Sequence, residues 1–213
     1  MTPQDTKKRL LEAAEKLFAE NGFEATSLRN ITSEAGANLA SIHYHFGSKE
    51  ALIQEVFAQY IKPVNTERLR LLDELEAKTP IRLEAVLRSF LTPLIRFDEV
   101  AERGKTIHKL FGRIYSESEK VQRLVLGQFE EVRTRYASAI QRVCPHLLPI
   151  EVAWRFKFMV GSMMMLLVSH TGYGKELEEM ESSEHVDVVL EKLTSFLVGG
   201  FTAPPVASRK ITQ

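Results

Sequence analysis

The chain has one cysteine, Cys144, in 213 residues. That excludes an intrachain disulfide framework and fits a reducing cytoplasm. There is no long hydrophobic run either. The longest, F-M-V-G-S-M-M-M-L-L-V-S at 158–169, falls well short of the ~20 residues a membrane-spanning helix needs, so no membrane partner is expected. The N-terminus, M-T-P-Q-D-T-K-K-R-L-L-E-A-A-E-K-L, lacks the apolar core of a signal peptide, and a cytoplasmic location is the expectation. G-x-S-x-G, a glycine-rich phosphate loop and Cys-x-x-Cys are all missing, which argues against an enzyme and gives no cofactor to expect. Cys144, before a proline among apolar neighbours, reads as a small core residue rather than a nucleophile. A metal site is not expected: His43 and His45, two apart on a helix, point roughly 200° away from each other. The remaining histidines, His108, His146, His170 and His185, are scattered one per segment.

Net charge is the last absence, Lys+Arg 28 cancelling Asp+Glu 28. Up to residue 50 the bases Lys7, Lys8, Arg9, Lys16, Arg29 and Lys49 are outnumbered by Asp5, Glu12, Glu15, Glu20, Glu24, Glu34 and Glu50. The bulk electrostatic footprint of a nucleic-acid binder is therefore missing. Any such function rests on placement, with bases gathered near the first helix and the turn and acids facing away.

What is present is a composition of 44% hydrophobic and 26% charged residues, ordinary for a soluble globular protein, and one distinctive stretch. Residues 26–49 read T-S-L-R-N-I-T-S-E-A-G-A-N-L-A-S-I-H-Y-H-F-G-S-K, which predicts two short helices joined by a tight turn. Thr26 suits an N-cap. Leu28, Ile31 and Ala35 make one apolar stripe, and Gly36 supplies a left-handed stop. A second helix over about 38–46 puts Leu39, Ile42 and Phe46 on one face, with Ser41 and Tyr44 opposite, flanked by Asn38, Ala40 and His45. Gly47 closes it, and Ser48 caps a third helix. So short a helix holds only by burying its apolar face, leaving a small outer face of donors and one aromatic. This is helix-turn-helix geometry, in which the second helix enters the DNA major groove.

The runs G-F-E-A-T-S-L-R-N-I-T-S-E-A-G and S-I-H-Y-H-F-G-S-K-E-A-L closely resemble the N-terminal domain of the TetR family of one-component transcriptional regulators. The resemblance covers about residues 7–56 and departs from the commonest pattern at His43, where a tyrosine is usual. It implies that Tyr44 and His45 touch DNA. Ser41, Ala40 and Asn38 are small or hydrogen-bonding groups suited to base edges, and Arg29 can reach a guanine or a phosphate. Thr26, Ser27 and Lys49 sit at helix starts, where free amides suit phosphate oxygens. His43 completes the candidate set.

The rest of the chain reads as helices too, with no convincing strand. Leu10, Ala14, Leu17, Phe18 and Asn21 form the stripe of a first helix, with Lys7, Lys8 and Arg9 fraying from its start. Leu52, Val56 and Tyr60 share a face of the helix after Ser48, which Pro63 ends or kinks. Thr79-Pro80 is a start signal for a helix carrying Leu83, Val86, Leu87, Phe90, Leu91 and Leu94, bent near Pro93. Ile107, Leu110, Phe111 and Ile114 follow, then one long helix over about 119–143. The stretch 151–170 is apolar on every side and needs cover from beyond its own chain. An acidic loop at 171–184 precedes a last helix with Val186, Val189, Leu190, Leu193, Phe196 and Leu197, ending at Gly199-Gly200 before a disordered tail.

The expected class is all-α: a three-helix helix-turn-helix head, residues 1–48, and a larger helical ligand-binding and dimerisation body, residues 49–213. Operator reading by paired helices requires two-fold symmetry, so a homodimer through the helices near 151–170 and 186–198 is expected on a double-stranded DNA operator. The body resembles fatty-acid-responsive members of the family over 38–57 and 148–166. A small hydrophobic effector of acyl type is the expectation, with Phe111, Met159 and Met163 as pocket walls. The alternative is a constitutive dimeric DNA-binding protein without effector.

Overall fold

The computed structural model describes residues 3–78, 80–100, 110–114, 116–168 and 182–205, and among them there are helices and no strand. The head is α1 (Pro3–Asn21), α2 (Leu28–Glu34) and α3 (Leu39–Phe46). Then come α4 (Lys49–Glu76), α5 (Leu83–Val100) and a helical turn α6 at 110–114. The chain continues through α7 (Glu119–Leu126), a 3₁₀ turn (Gly127–Phe129), α8 (Glu130–Val143), α9 (Pro149–Val168) and α10 (Ser182–Thr202). The expected all-α class is what the structure has. Thr79, Ile107, the acidic segment 171–181 and the tail from 206 lie outside the described residues.

Two compact units account for the contacts: Met1–Asn65 with Ala101–Glu131, and Thr66–Val100 with Val132–Gln213. The first half of α4 and all of α7 belong to the unit that holds the head. The first unit's core runs from Leu10, Ala14 and Phe18 through Ile31 and Ile42 to Leu52, Val56 and Phe57. Aromatic contacts bind it together, with Phe18–Phe23 centroids at 5.0 Å, Phe23–Phe57 at 5.5 Å and Phe57–Phe111 at 5.2 Å. The second unit's core gathers Val86, Leu87, Phe90 and Leu91 of α5 with Val132, Tyr136 and Ile140 of α8, Phe156 and Met159 of α9, and Leu190 and Leu197 of α10.

Several elements differ from the sequence expectation, each for a local reason. Lys7, Lys8 and Arg9 do not fray, because α1 already starts at Pro3, a residue preset for the first helical turn. At Pro63, of the two expected courses, α4 does not end but stays helical beyond it; the ring removes one interior hydrogen bond, and Leu52 and Val56 before it and Leu72 after it are all buried. Pro80 is not the first residue of α5, which starts at Leu83.

The single helix expected over 119–143 is divided by the 3₁₀ turn. Gln128 is held there from two places: its carbonyl accepts from Asn65 Nδ2 at 3.0 Å, and its side chain donates to the Gln54 carbonyl at 3.3 Å. Gly199-Gly200 does not end α10, which reaches Thr202. Arg155 of α9 donates to the carbonyls of Gly200 (2.7 Å), Phe201 (3.1 Å), Ala203 (2.8 Å) and Pro204 (3.2 Å), supplying the partners that helix-end carbonyls lack.

Candidate nucleic-acid interface

The head is held by its caps. Ser27, not Thr26, is the N-cap of α2. Its hydroxyl accepts from the Asn30 amide at 3.1 Å while Asn30 Oδ1 accepts from the Ser27 amide at 3.0 Å, a reciprocal capping box. Thr26 turns inward instead. It is buried, and its hydroxyl donates to the Gly22 carbonyl at 2.7 Å, so it pins the α1–α2 link and presents nothing to a phosphate. Helix α2 ends in a Schellman motif: Gly36 has φ of 57°, its amide reaches the Ser33 carbonyl (3.2 Å), and Ala37 reaches Thr32 (2.9 Å). A side chain at this φ costs about 1–2 kcal/mol, which is why glycine stands there.

Helix α3 starts on Asn38, whose Oδ1 accepts from the Ser41 amide and the Ser41 hydroxyl, both at 2.9 Å. The carbonyl half of Asn38 is therefore spent on capping, which leaves its amide nitrogen outside the cap. Asn38→Ala is expected to cost about 1 kcal/mol of stability, read as a lower midpoint in urea unfolding. Ile42 is fully buried and Phe46 partly so, but Leu39, expected on the same inner stripe, is 40% exposed. It sits in the first turn of the helix, beyond the edge of the head's core.

Outward from α3 stand Ala40, His43 and Tyr44, with Ser41 and His45 half-buried beside them. Tyr44 is 79% exposed, and its ring meets that of His45 edge-on at 4.9 Å. His43 is tied through Nδ1 to the Gly47 carbonyl at 3.1 Å, which anchors it at the C-terminal end of α3. Ser48 caps α4 as expected, its hydroxyl accepting from the Ala51 amide at 3.1 Å. Lys49 lies against the Glu24 carbonyl at 3.4 Å, and Arg29 is exposed.

Two of the head's bases are paired with acids. Lys7 pairs with Glu55 at 2.9 Å and lies 5.6 Å over the Phe46 ring, while Lys16 pairs with Glu34 at 2.6 Å. A group of residues that sequence reasoning missed holds the head from outside. Arg113 donates to the Glu20 carbonyl (2.9 Å), Glu117 accepts from the Phe23 amide (3.2 Å), Ser118 donates to Glu24 (3.0 Å) and Lys120 pairs with Glu50 (2.6 Å). The Lys120 ammonium holds the Glu50 carboxyl below its ordinary range, and Glu50 in turn holds Lys120 above its own. Nothing in the sequence pairs residues some 70 to 94 positions apart.

The expected pocket walls fall into different cores. Phe111 packs against Phe57 in the first unit, while Met159 and Met163 are buried in the second. Helix α9 is not buried all round in the single chain. Val152, Phe156, Met159 and Met163 face the core, while Ile150, Trp154, Phe158, Met165 and Leu166 are exposed, and so is Phe196 of α10. No group of metal-ligating side chains exists among the described residues, and no described helix is long and apolar enough to cross a membrane.

A family model described as Bacterial regulatory proteins, tetR family, matches residues 10–56. A second, Tetracyclin repressor-like, C-terminal domain, matches residues 88–200, more than half of the chain. The chain belongs to the TetR family. TetR-family relatives include the HTH-type transcriptional regulator UidR of Escherichia coli K12, 41% identical over 56 residues, 26% of this chain and 29% of that protein. Another is AcrR of Shigella flexneri, 30% identical over 107 residues, 50% of this chain and 48% of that one. The chain thus spans about half or less of the length of these curated relatives. A solved TetR-type regulator, described as TerR/AcrR family, from Aquifex aeolicus VF5 is 26% identical, with 91% of this chain and 98% of that one covered at a TM-score of 0.53. These TetR-family proteins are transcriptional regulators, not enzymes.

Proposed function

We propose that this protein is a DNA-binding transcriptional repressor, acting in the cytoplasm as a homodimer on a palindromic operator and released or retained by a small hydrophobic effector. The observation that carries the reading is the outer face of α3, where Tyr44 stands 79% exposed on a helix of 8 residues whose inner side is anchored by Ile42. A structural strut has no use for an aromatic there. Residues 1–48 are the reading domain, and residues 49–213 dimerise and take the effector. Tyr44, His45, Ala40, Ser41 and the Asn38 amide face base edges; Ser27, Arg29 and Lys49 face phosphates; His43 acts at the end of α3.

Dimerisation is assigned to α9 and α10. Ile150, Trp154 and Phe158 recur every fourth residue, continuing toward Met165, and leave an apolar stripe of the kind that marks an interaction surface. Facing pairs of such helices make an intersubunit four-helix bundle. The effector is assigned to the second unit's core, around Met159 and Met163, where unbranched side chains yield easily to a guest.

Selection of bound duplexes from a random library tests the reading. A palindrome with half-sites about 34–36 Å apart, or a multiple of that, is the expected product, and a consensus without two-fold symmetry would overturn the dimeric assignment. Operator affinity that stays fixed under every apolar ligand tried would favour the constitutive alternative.

A further inference from the structure

We propose that Arg68 is the counter-charge for the head of the effector, which makes that effector a monoanionic amphiphile, an apolar chain ending in a free carboxylate. This rests on the reading above that the second unit takes a hydrophobic ligand. Arg68, on α4, is 1% exposed and is the largest fully buried side chain described. Its partners are neutral: Nε donates to the Phe90 carbonyl at 2.8 Å, Nη2 approaches the Met163 sulfur at 3.7 Å, and the guanidinium carbon lies 4.0 Å over the Phe90 ring. Among the described residues no carboxylate is within ion-pair distance of it.

Burial pushes the Arg68 guanidinium down to about 10, opposed by the nearby Tyr136 hydroxyl, so it remains a cation at neutral pH. A thioether is a weak acceptor for such a donor, and a buried cation is ordinarily paired. Met163 is also the easiest of the three contacts to move, being unbranched and flexible. Withdrawing its sulfur would open the Nη edge of a planar fork whose geometry matches a carboxylate.

The charge count selects the class. Arg68 is the one buried cation among the described residues, and the buried hydroxyls described in this unit, on Ser89, Thr194 and Tyr136, carry no charge. A phosphate dianion would keep a second, uncompensated charge in the core. An acyl thioester or ester would bring no charge to the fork. A carboxylate balances it, and the surrounding Phe90, Phe156, Met159 and Met163 suit an alkyl chain.

The test titrates octanoate, dodecanoate and hexadecanoate, with the methyl ester of each, into the full-length protein and its Arg68→Met and Arg68→Lys variants by calorimetry. The expected result is that at least one acid binds the unaltered protein roughly thirtyfold or more tighter than its ester. Arg68→Met should lose that preference while still binding the ester, and Arg68→Lys should retain part of it. Thermal unfolding guards against a trivial loss: removing an unpaired buried charge should leave the Tm of Arg68→Met equal to or above that of the unaltered chain. Acid and ester binding alike, or an acid preference that survives Arg68→Met, would overturn the role of Arg68 and leave the hydrophobic effector standing. No binding by acid or ester at any chain length would overturn both.

Discussion

Phe158→Glu is expected to yield a folded monomer that no longer holds an operator. In the single chain Phe158 is 62% exposed, with the Trp154 ring 6.0 Å away and one helical turn before it. The substitution therefore removes little from the chain's own core. On a two-fold interface the same residue appears from both sides, so one substitution buries two like charges. Breaking such a contact typically costs several kcal/mol, enough to shift the association constant by on the order of a thousandfold. Light scattering should report the mass of one chain at micromolar concentration, and operator affinity should fall by at least about a hundredfold as the second head is lost. A dimer of unchanged stability would remove α9 from the interface.

Tyr44→Ala should abolish discrimination between operator and random duplex while leaving the unfolding midpoint where it was. The side chain is mostly in solvent and, among the described residues, its ring meets that of His45, so the head loses no core. What disappears is the largest group available to a base or a sugar-phosphate edge; a lost specific contact costs about 1–3 kcal/mol per half-site, and two half-sites double it. Lys49→Ala makes the contrast. It should weaken operator and random duplex in parallel and lower the salt slope by about one unit for each head. Fluorescence anisotropy across a salt series separates the two, and an unchanged operator-to-random ratio for Tyr44→Ala would sink the base-reading role of α3.

The head was largely legible because its instructions are local. Gly22, Gly36 and Gly47 each adopt positive φ at the three places where the stripe of apolar residues stops. Thr26 and Ser27 were harder to separate, since either hydroxyl suits a cap. What decides is Asn30, three residues after Ser27, which returns a bond to the cap amide, leaving Thr26 to the α1–α2 link. The body hid what depends on distant partners. The break at Gly127–Phe129 needs Gln54 and Asn65, and the continuation of α10 past two glycines needs Arg155. Arg68 and Arg70 look alike in R-L-R-L-L, yet Arg70 pairs with Glu67 at 2.7 Å and with Glu74 on the surface while Arg68 is enclosed. Helical spacing assigns them to different faces, but it does not say which face a second layer will cover.

The capping arrangement of the head has a consequence for how such a protein can change. Ser27, Asn30, Thr26, Ile31, Ile42 and the three glycines keep the head folded, whereas Ala40, Tyr44 and His43 look outward. The two sets hardly overlap. Substitutions at Ala40 and Tyr44 leave the cores and caps untouched, so on the proposed reading operator preference can drift there without an unstable intermediate, whereas His43 is bonded to the Gly47 carbonyl at the end of α3. Asn38 and Ser27 are the exceptions, because each side chain caps a helix and is also proposed to meet DNA. They are the positions at which a lineage, or a designer, would find retargeting and folding in conflict.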